Sequence, residues 1–181
     1  MSPPVEIVVD GTDSGGKSPC VDALSRAFAV RQNVRTCAPF RVQEVYPLWE
    51  REPRRAAATI RSIMDDLRRD SAAVDVIIWD RGWPTVWVST TDPVARGAML
   101  PFPDLTVLLL NSMQTTRSKV QKYGLQAIWV KDPELLRRFN DAYHGLPREV
   151  NDNSVAAFFP APDGRFDYAA IVAHVRNELK L

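Results

Sequence analysis

Hydrophobic positions along this 181-residue chain fall into two alternating kinds of stretch. Val5 to Val9 is β-rich and nearly continuous and stops at Asp10-Gly11, which predicts a buried strand ending in a turn. From Ser18 the period lengthens. Val21, Leu24 and Phe28 share one helical face while Asp22 and Arg26 point away. Pro19 lies just inside the start of this helix, where its missing N–H does no harm. Further strands are predicted at Val34 to Ala38, Val74 to Trp79, Leu105 to Leu110 and Val155 to Phe159. Arg51 to Arg69 reads as a helix with Ile60, Met64 and Leu67 on its inner side. Asp132-Pro133-Glu134 has the form of an N-cap, an N1 proline and an early acid, opening a helix that carries Leu135, Leu136, Phe139 and Tyr143. A C-terminal helix is striped by Tyr168, Ile171, Val172, Val175 and Leu179. Strands alternating with helices form βαβ units, which impose a mostly parallel sheet covered on both faces. The expectation is a three-layer α/β fold with a five-stranded sheet, in a single domain over residues 1–181. The proline-richer stretch from Pro93 to Pro103 reads as a loop.

Composition narrows the function classes. Lys plus Arg is 23 and Asp plus Glu is 22, a net charge of +1, without the basic excess that nucleic acid or an acidic membrane surface attracts. Apolar residues at 45% and charged ones at 25% exclude a disordered or fibrous chain. The two cysteines, Cys20 and Cys37, are too few for a disulfide scaffold and lack zinc-type CxxC spacing. Met1-Ser2-Pro3-Pro4 has no basic region leading into an apolar one, and no apolar run is long enough to span a membrane. A cytoplasmic protein with no nucleic-acid or membrane partner is expected.

Gly11-Thr12-Asp13-Ser14-Gly15-Gly16-Lys17-Ser18 satisfies GxxxxGK[ST] between a buried strand and an amphipathic helix. Glycines let successive backbone N–H groups curl round a phosphate, and the helix N-terminus adds partial positive charge. Lys17 would reach the β- and γ-phosphates of ATP and the Ser18 hydroxyl would ligate Mg²⁺. The alternative is a glycine-rich turn that binds nothing. Asp80-Arg81 ends the third strand, where parallel sheets place their ligands. Asp80 could hold Mg²⁺ through water or accept a proton from an attacking hydroxyl, and Arg81 could clamp phosphate oxygens. A mutual surface pair is the alternative.

In these residues the chain resembles thymidylate kinases and their relatives among the nucleoside monophosphate kinases. The glycine-rich loop has that family's acidic third residue, Asp13. Phe40-Arg41 follows the second strand, Asp80-Arg81 matches an Asp-Arg pair, and Pro103-Asp104-Leu105-Thr106 opens the fourth strand. Lys131-Asp132-Pro133-Glu134-Leu135-Leu136, running to Tyr143, is similar to the helix after the family's lid. The resemblance implies a P-loop kinase fold with a short lid around residues 112–131, ATP and Mg²⁺, a small-molecule acceptor and a homodimer. It implies that Gly11 to Ser18 and Arg117 bind ATP and that Lys17, Asp13, Asp80 and Arg81 serve catalysis. Ser18 and Asp80 would hold the metal, and Arg41, Arg68 and Arg81 would meet the acceptor; Trp83 joins them as a candidate on its planar ring alone, not on the resemblance. Gly82 to Trp87 departs from the family pattern. That departure keeps a hydroxyl acceptor, such as a nucleoside or specialised metabolite, beside a nucleoside monophosphate. A nucleotide-binding module without turnover is a third reading.

Several of these residues have a plain structural use. Arg41 could be a surface arginine. Arg117, Lys119 and Lys122 could form a solvated helix face rather than neutralise a phosphoryl group. Arg61 and Arg69 read as solvent-facing, with Arg68 the exception. Trp83 and Trp87 would share a helix face and either stack on a planar acceptor or fill the core. His144 and His174 have no expected catalytic part. Cys20 reads as a small buried residue, or as a thiol activated by the helix N-terminus whose alkylation would block the site.

Overall fold

The computed structural model describes residues 3–13, 16–41, 48–123, 132–150 and 154–181. In chain order these form β1 (Val5–Gly11), α1 (Lys17–Phe28), β2 (Val34–Cys37), a 3₁₀ turn (Pro39–Arg41), α2 (Leu48–Arg51), α3 (Pro53–Arg69) and β3 (Val76–Asp80). They continue with α4 (Trp83–Ser89), α5 (Pro93–Gly97), β4 (Leu105–Leu109), α6 (Met113–Tyr123), α7 (Pro133–Val150), β5 (Val155–Phe158) and α8 (Tyr168–Leu179).

The five strands form one sheet in the order β2-β3-β1-β4-β5. Every neighbouring pair is parallel, with Val9 opposite Asp80 on one side of β1 and Gly11 opposite Leu109 on the other. A parallel sheet must be covered on both faces, and the alternation of side chains divides its core in two. Val8, Ile77, Trp79 and Leu108 point toward α3, α4, α5 and α7, whose Ile60, Met64, Val86, Ala95, Tyr143 and Leu146 fill that side. Ile7, Val9, Ile78, Val107 and Leu109 point the other way, onto Cys20, Leu24 and Phe28 of α1 and Ile171 and Val175 of α8. Asp10 follows Val8 by two residues, so it faces α4 and α7.

Aspartates start three of the helices. Asp132 Oδ1 accepts from the backbone N–H groups of Glu134 and Leu135, capping α7 as its Asp-Pro-Glu signature predicts. Asp167 caps α8 through Ala170 N. Asp92 accepts from Val94 N and Ala95 N and is followed by Pro93 at N1. This last cap creates α5 inside the stretch expected to be a loop. It is the same sequence signature as at α7, in a helix of only five residues whose apolar pattern is too short to read. In the expected lid, α6 occupies Met113–Tyr123, and 124–131 lie outside the described residues.

Candidate active site

β1 sits between β3 and β4, so the turn leaving it opens into the crevice at the carboxyl ends of all three strands. Gly11 has φ 137°, and a Cβ there would collide with the carbonyl of Leu109. Only glycine lets the chain pass this close to β4. Thr12 then fastens the turn: its N–H donates to Leu109 O at 3.1 Å, and its hydroxyl oxygen accepts from Asn111 N at 2.9 Å. Ser14 and Gly15 lie outside the described residues. Gly16 re-enters at φ 76° as the residue before α1, and the Tyr168 hydroxyl of α8 donates to its carbonyl at 3.2 Å. Ser18 is exposed on the first turn of α1, beside amides that have no partner within the helix.

Lys17 is buried and curled back on the loop. Its Nζ donates to Gly11 O at 3.0 Å and Thr12 O at 2.8 Å. Burial, reinforced by the Arg81 guanidinium, pulls this ammonium down to about 8, against the opposing pull of Asp13, Asp10 and Asp80.

Asp10, on which the sequence reading placed no function, is a hub. Its carboxylate is completely buried. One oxygen accepts from Gly11 N at 2.8 Å and the Tyr143 hydroxyl at 3.0 Å. The other accepts from Gly82 N at 3.1 Å, Thr85 N at 3.0 Å and the Thr85 hydroxyl at 2.8 Å. α4 has no side-chain cap of its own, and Asp10 supplies one from the neighbouring strand. Gly82 makes room for this, since a Cβ there would press against Val8. Burial next to this carboxylate pushes the Tyr143 hydroxyl well above its ordinary value.

The Asp80-Arg81 pair is not a mutual surface pair. Arg81 holds φ 72°, a left-handed conformation that a non-glycine side chain adopts at a cost of about 1–3 kcal/mol. Its N–H remains bonded to Val9 O at 2.9 Å, while its guanidinium reaches over β1 to lie 3.5 Å from Asp13 Oδ1. The bend thus aims a cation at the glycine-rich turn, and Asp80 stays half-buried at the strand end.

A cavity of about 360 Å³ adjoins this corner. Asp13 and Arg81 line it, together with Trp49, Glu50 and Arg51 from α2 and Thr85, Val88 and Ser89 from α4. α7 contributes Leu135, Leu136, Arg138, Phe139, Asn140 and Tyr143. Of this lining the sequence reading had assigned only Asp13 and Arg81 to the site. The signal available for the rest was the apolar stripe of α7, which reads equally as core.

Other expected site residues lie elsewhere. Arg68 is held by Glu6 in a two-pronged pair at 2.7 and 2.8 Å and by Asp65 at 2.9 Å, against the face of Trp79. It braces α3 against β1 and does not line the cavity. Trp83 is fully buried, packed on Phe102 with ring centroids 4.4 Å apart, and its Nε1–H donates to the Thr106 hydroxyl at 2.9 Å. It is a core residue, since α4 turns its face to the sheet. Arg41 is exposed on the 3₁₀ turn next to segment 42–47, which lies outside the described residues, and it does not line the cavity. Arg117 is exposed on α6. Lys119 donates to Gly164 O at 3.2 Å. Cys20 is buried with its thiol pushed up to about 12, which corrects the reading of an activated thiol.

A five-stranded parallel sheet in this order, with a GxxxxGKS turn between its central strand and α1, defines the P-loop kinase fold. Solved kinases share it. The chain is similar to deoxyadenosine kinase from M. mycoides, solved with dCMP and dCDP as products, at 15% identity over 97% of this chain and 99% of that one, TM-score 0.63. Thymidylate kinase from Candida albicans superposes at 13% identity over 99% and 93%, TM-score 0.63. Thymidylate kinase from Ehrlichia chaffeensis does so at 15% identity over 98% and 100%, also at 0.63. No protein-family model and no curated protein sequence matches the chain. At this identity the likeness is one of fold. Among the described residues no helix is long and apolar enough to cross a membrane.

Proposed function

We propose that this protein is a phosphotransferase that moves the γ-phosphoryl group of ATP to a nucleoside monophosphate or similar phosphorylated small molecule. The observation that carries this reading is the contiguity of two compartments. The glycine-rich turn meets the cavity at Asp13, which lines it together with Arg81 and lies 3.5 Å from that guanidinium. A donor in the turn and an acceptor in the cavity would share that corner.

In this reading the first amides of α1 and Lys17 hold the β- and γ-phosphates. Lys17 gives up the carbonyls of Gly11 and Thr12 to do so, and the phosphate charge restores its proton affinity. Arg81 clamps phosphate oxygens between the two compartments, a position where one arginine is worth roughly 10³-fold or more in rate. Arg51 and Arg138, which line the cavity, supply the further positive charge that a phosphorylated acceptor needs and that was expected of Arg41 and Arg68. A phosphate acceptor needs no general base, and positioning and charge neutralisation suffice. The donors on offer fit Mg²⁺. The exposed Ser18 hydroxyl and the Asp80 carboxylate are hard oxygens, of the kind this ion takes beside substrate phosphates. When bound, Mg²⁺ supplies charge neutralisation on the phosphates.

The test is ADP formation from MgATP across a panel of nucleoside monophosphates, nucleosides and sugars. Stimulation by monophosphates, lost in Arg81→Ala with MgATP binding retained, supports the reading. Stimulation by unphosphorylated nucleosides alone, lost in Asp80→Asn, assigns a hydroxyl acceptor with Asp80 as base. MgATP binding with no stimulated turnover by any acceptor assigns a nucleotide-binding module.

A further inference from the structure

Asn140 lies in the middle of α7, a helix position that asparagine fills poorly, and is only 5% exposed. Its Nδ2 donates to Asn111 O at 3.1 Å and to the Thr116 hydroxyl oxygen at 3.3 Å. The first bond fixes the orientation of the amide, because a backbone carbonyl only accepts. Both amide hydrogens are therefore spent, one on the residue after β4 and one on α6. Oδ1, on the other arm, accepts from none of the described residues, and it is not sealed off from solvent. Asn140 lines the cavity, so the cavity is where a ligand reaches this oxygen. A mostly buried oxygen without a partner is costly, and a leucine at this position would carry no such cost. The hydroxyls nearby have the same polarity. Thr85 and Tyr143 give their hydrogens to Asp10, and Ser89 gives its hydrogen to Thr85 O at 2.6 Å. Like Oδ1, these groups can receive a hydrogen from a ligand.

We infer that Asn140 determines specificity in the acceptor site, its Oδ1 accepting a hydrogen bond from an N–H group on the ring of the phosphorylated acceptor. This rests on the reading of the cavity as the acceptor site. Leu136, one helical turn before Asn140, and Phe139 beside it give the cavity apolar surface against which a flat ring can lie. A ring with an amino or imino group on its edge satisfies the oxygen. A ring without one strips the oxygen of water and leaves it unpaired, which is how such sites reject analogues.

The experiment is calorimetric titration of the full chain with pairs of monophosphates that differ in a ring donor, with MgATP titrated separately. The pairs are AMP with purine riboside monophosphate, CMP with pyrimidinone riboside monophosphate, and UMP with its N3-methyl derivative. In at least one pair the donor-bearing member should bind roughly 10–100-fold more tightly. Asn140→Ala should abolish that preference, with the donor-less member binding no more weakly than to wild type, an outcome that mere loosening of the site does not give. Preferences below about tenfold in every pair, or a preference that survives in Asn140→Ala, overturn the inference. Should the variant fail to fold, the crystal structure of wild type with the preferred monophosphate decides. A ring N–H within about 3.2 Å of Asn140 Oδ1 supports the inference, and a ring N–H paired elsewhere overturns it. Binding of MgATP but of none of the monophosphates overturns the inference and leaves the donor site standing. Failure to bind MgATP overturns the proposed function together with it.

Discussion

Replacing Lys17 with methionine separates what the glycine-rich turn costs the fold from what it gives a ligand. The buried ammonium titrates at about 8, against 10.5 for an exposed lysine. At about 1.4 kcal/mol for each tenfold change in proton affinity, keeping it charged costs the native state about 3 kcal/mol at neutral pH. The sign follows from proton counts. Below pH 8 the native and unfolded chains both carry the proton, and the penalty is complete. Between about 8 and 10.5 the native lysine has released its proton while the unfolded one keeps it, so stability rises with pH. Urea unfolding of wild type and Lys17→Met at several pH values isolates this contribution, because the other titrating groups cancel in the difference. The expected difference curve climbs by about 3 kcal/mol across that interval, with the methionine variant the more stable protein at pH 7. The variant forfeits two hydrogen bonds to Gly11 O and Thr12 O, at about 1 kcal/mol each, so its net advantage at pH 7 is about 1 kcal/mol. MgATP should stabilise only the wild type. Parallel curves, or a difference that falls with pH, would refute the claim that this lysine is held charged against its surroundings.

Three further outcomes are expected. MgATP binding at pH 9 should draw in a proton as phosphate restores the Lys17 charge, seen as binding enthalpies that differ between buffers of different ionisation heat. Buffer-independent enthalpies would count against it. Tyr143→Phe removes one of the donors to the buried Asp10 carboxylate and should cost about 1–3 kcal/mol in urea unfolding; an unchanged midpoint would mean the contact carries no energy. Cys20, with its thiol at about 12 and no exposed surface, should resist a thiol reagent in the native protein and react only on unfolding. Rapid native-state modification would contradict its burial.

The strands and long helices were legible because each rests on a local pattern. Ile7, Val9, Ile78 and Val107 alternate through a covered sheet, and Asp132-Pro133-Glu134 announces a helix by itself. The glycine-rich turn was legible for the same reason: its chemistry lies within eight consecutive residues, Gly11 to Ser18. Asp10 was not, because an acid before a glycine reads as an ordinary turn former. Its meaning comes from Thr85 and Tyr143, 75 and 133 positions away. Arg68 misled in the opposite direction. Its partner Glu6 lies 62 positions distant, within the otherwise apolar run Val5 to Val9. Trp83 was ambiguous until α4 fixed which way its ring turned. Long-range polar pairing, which leaves no period in the sequence, accounts for each of these.

The glycine-rich turn and the cavity are built from separate stretches of chain. The turn comes from the end of β1 and the start of α1, whereas the apolar wall comes from α2, α4 and α7. Arg81 and Asp13 form the seam between them. Substitutions along Trp49, Leu135 or Phe139 can therefore accumulate without disturbing Lys17 or Ser18. Under the proposed function, such substitutions exchange one acceptor for another over evolutionary time while the phosphoryl donor's site is left as it is.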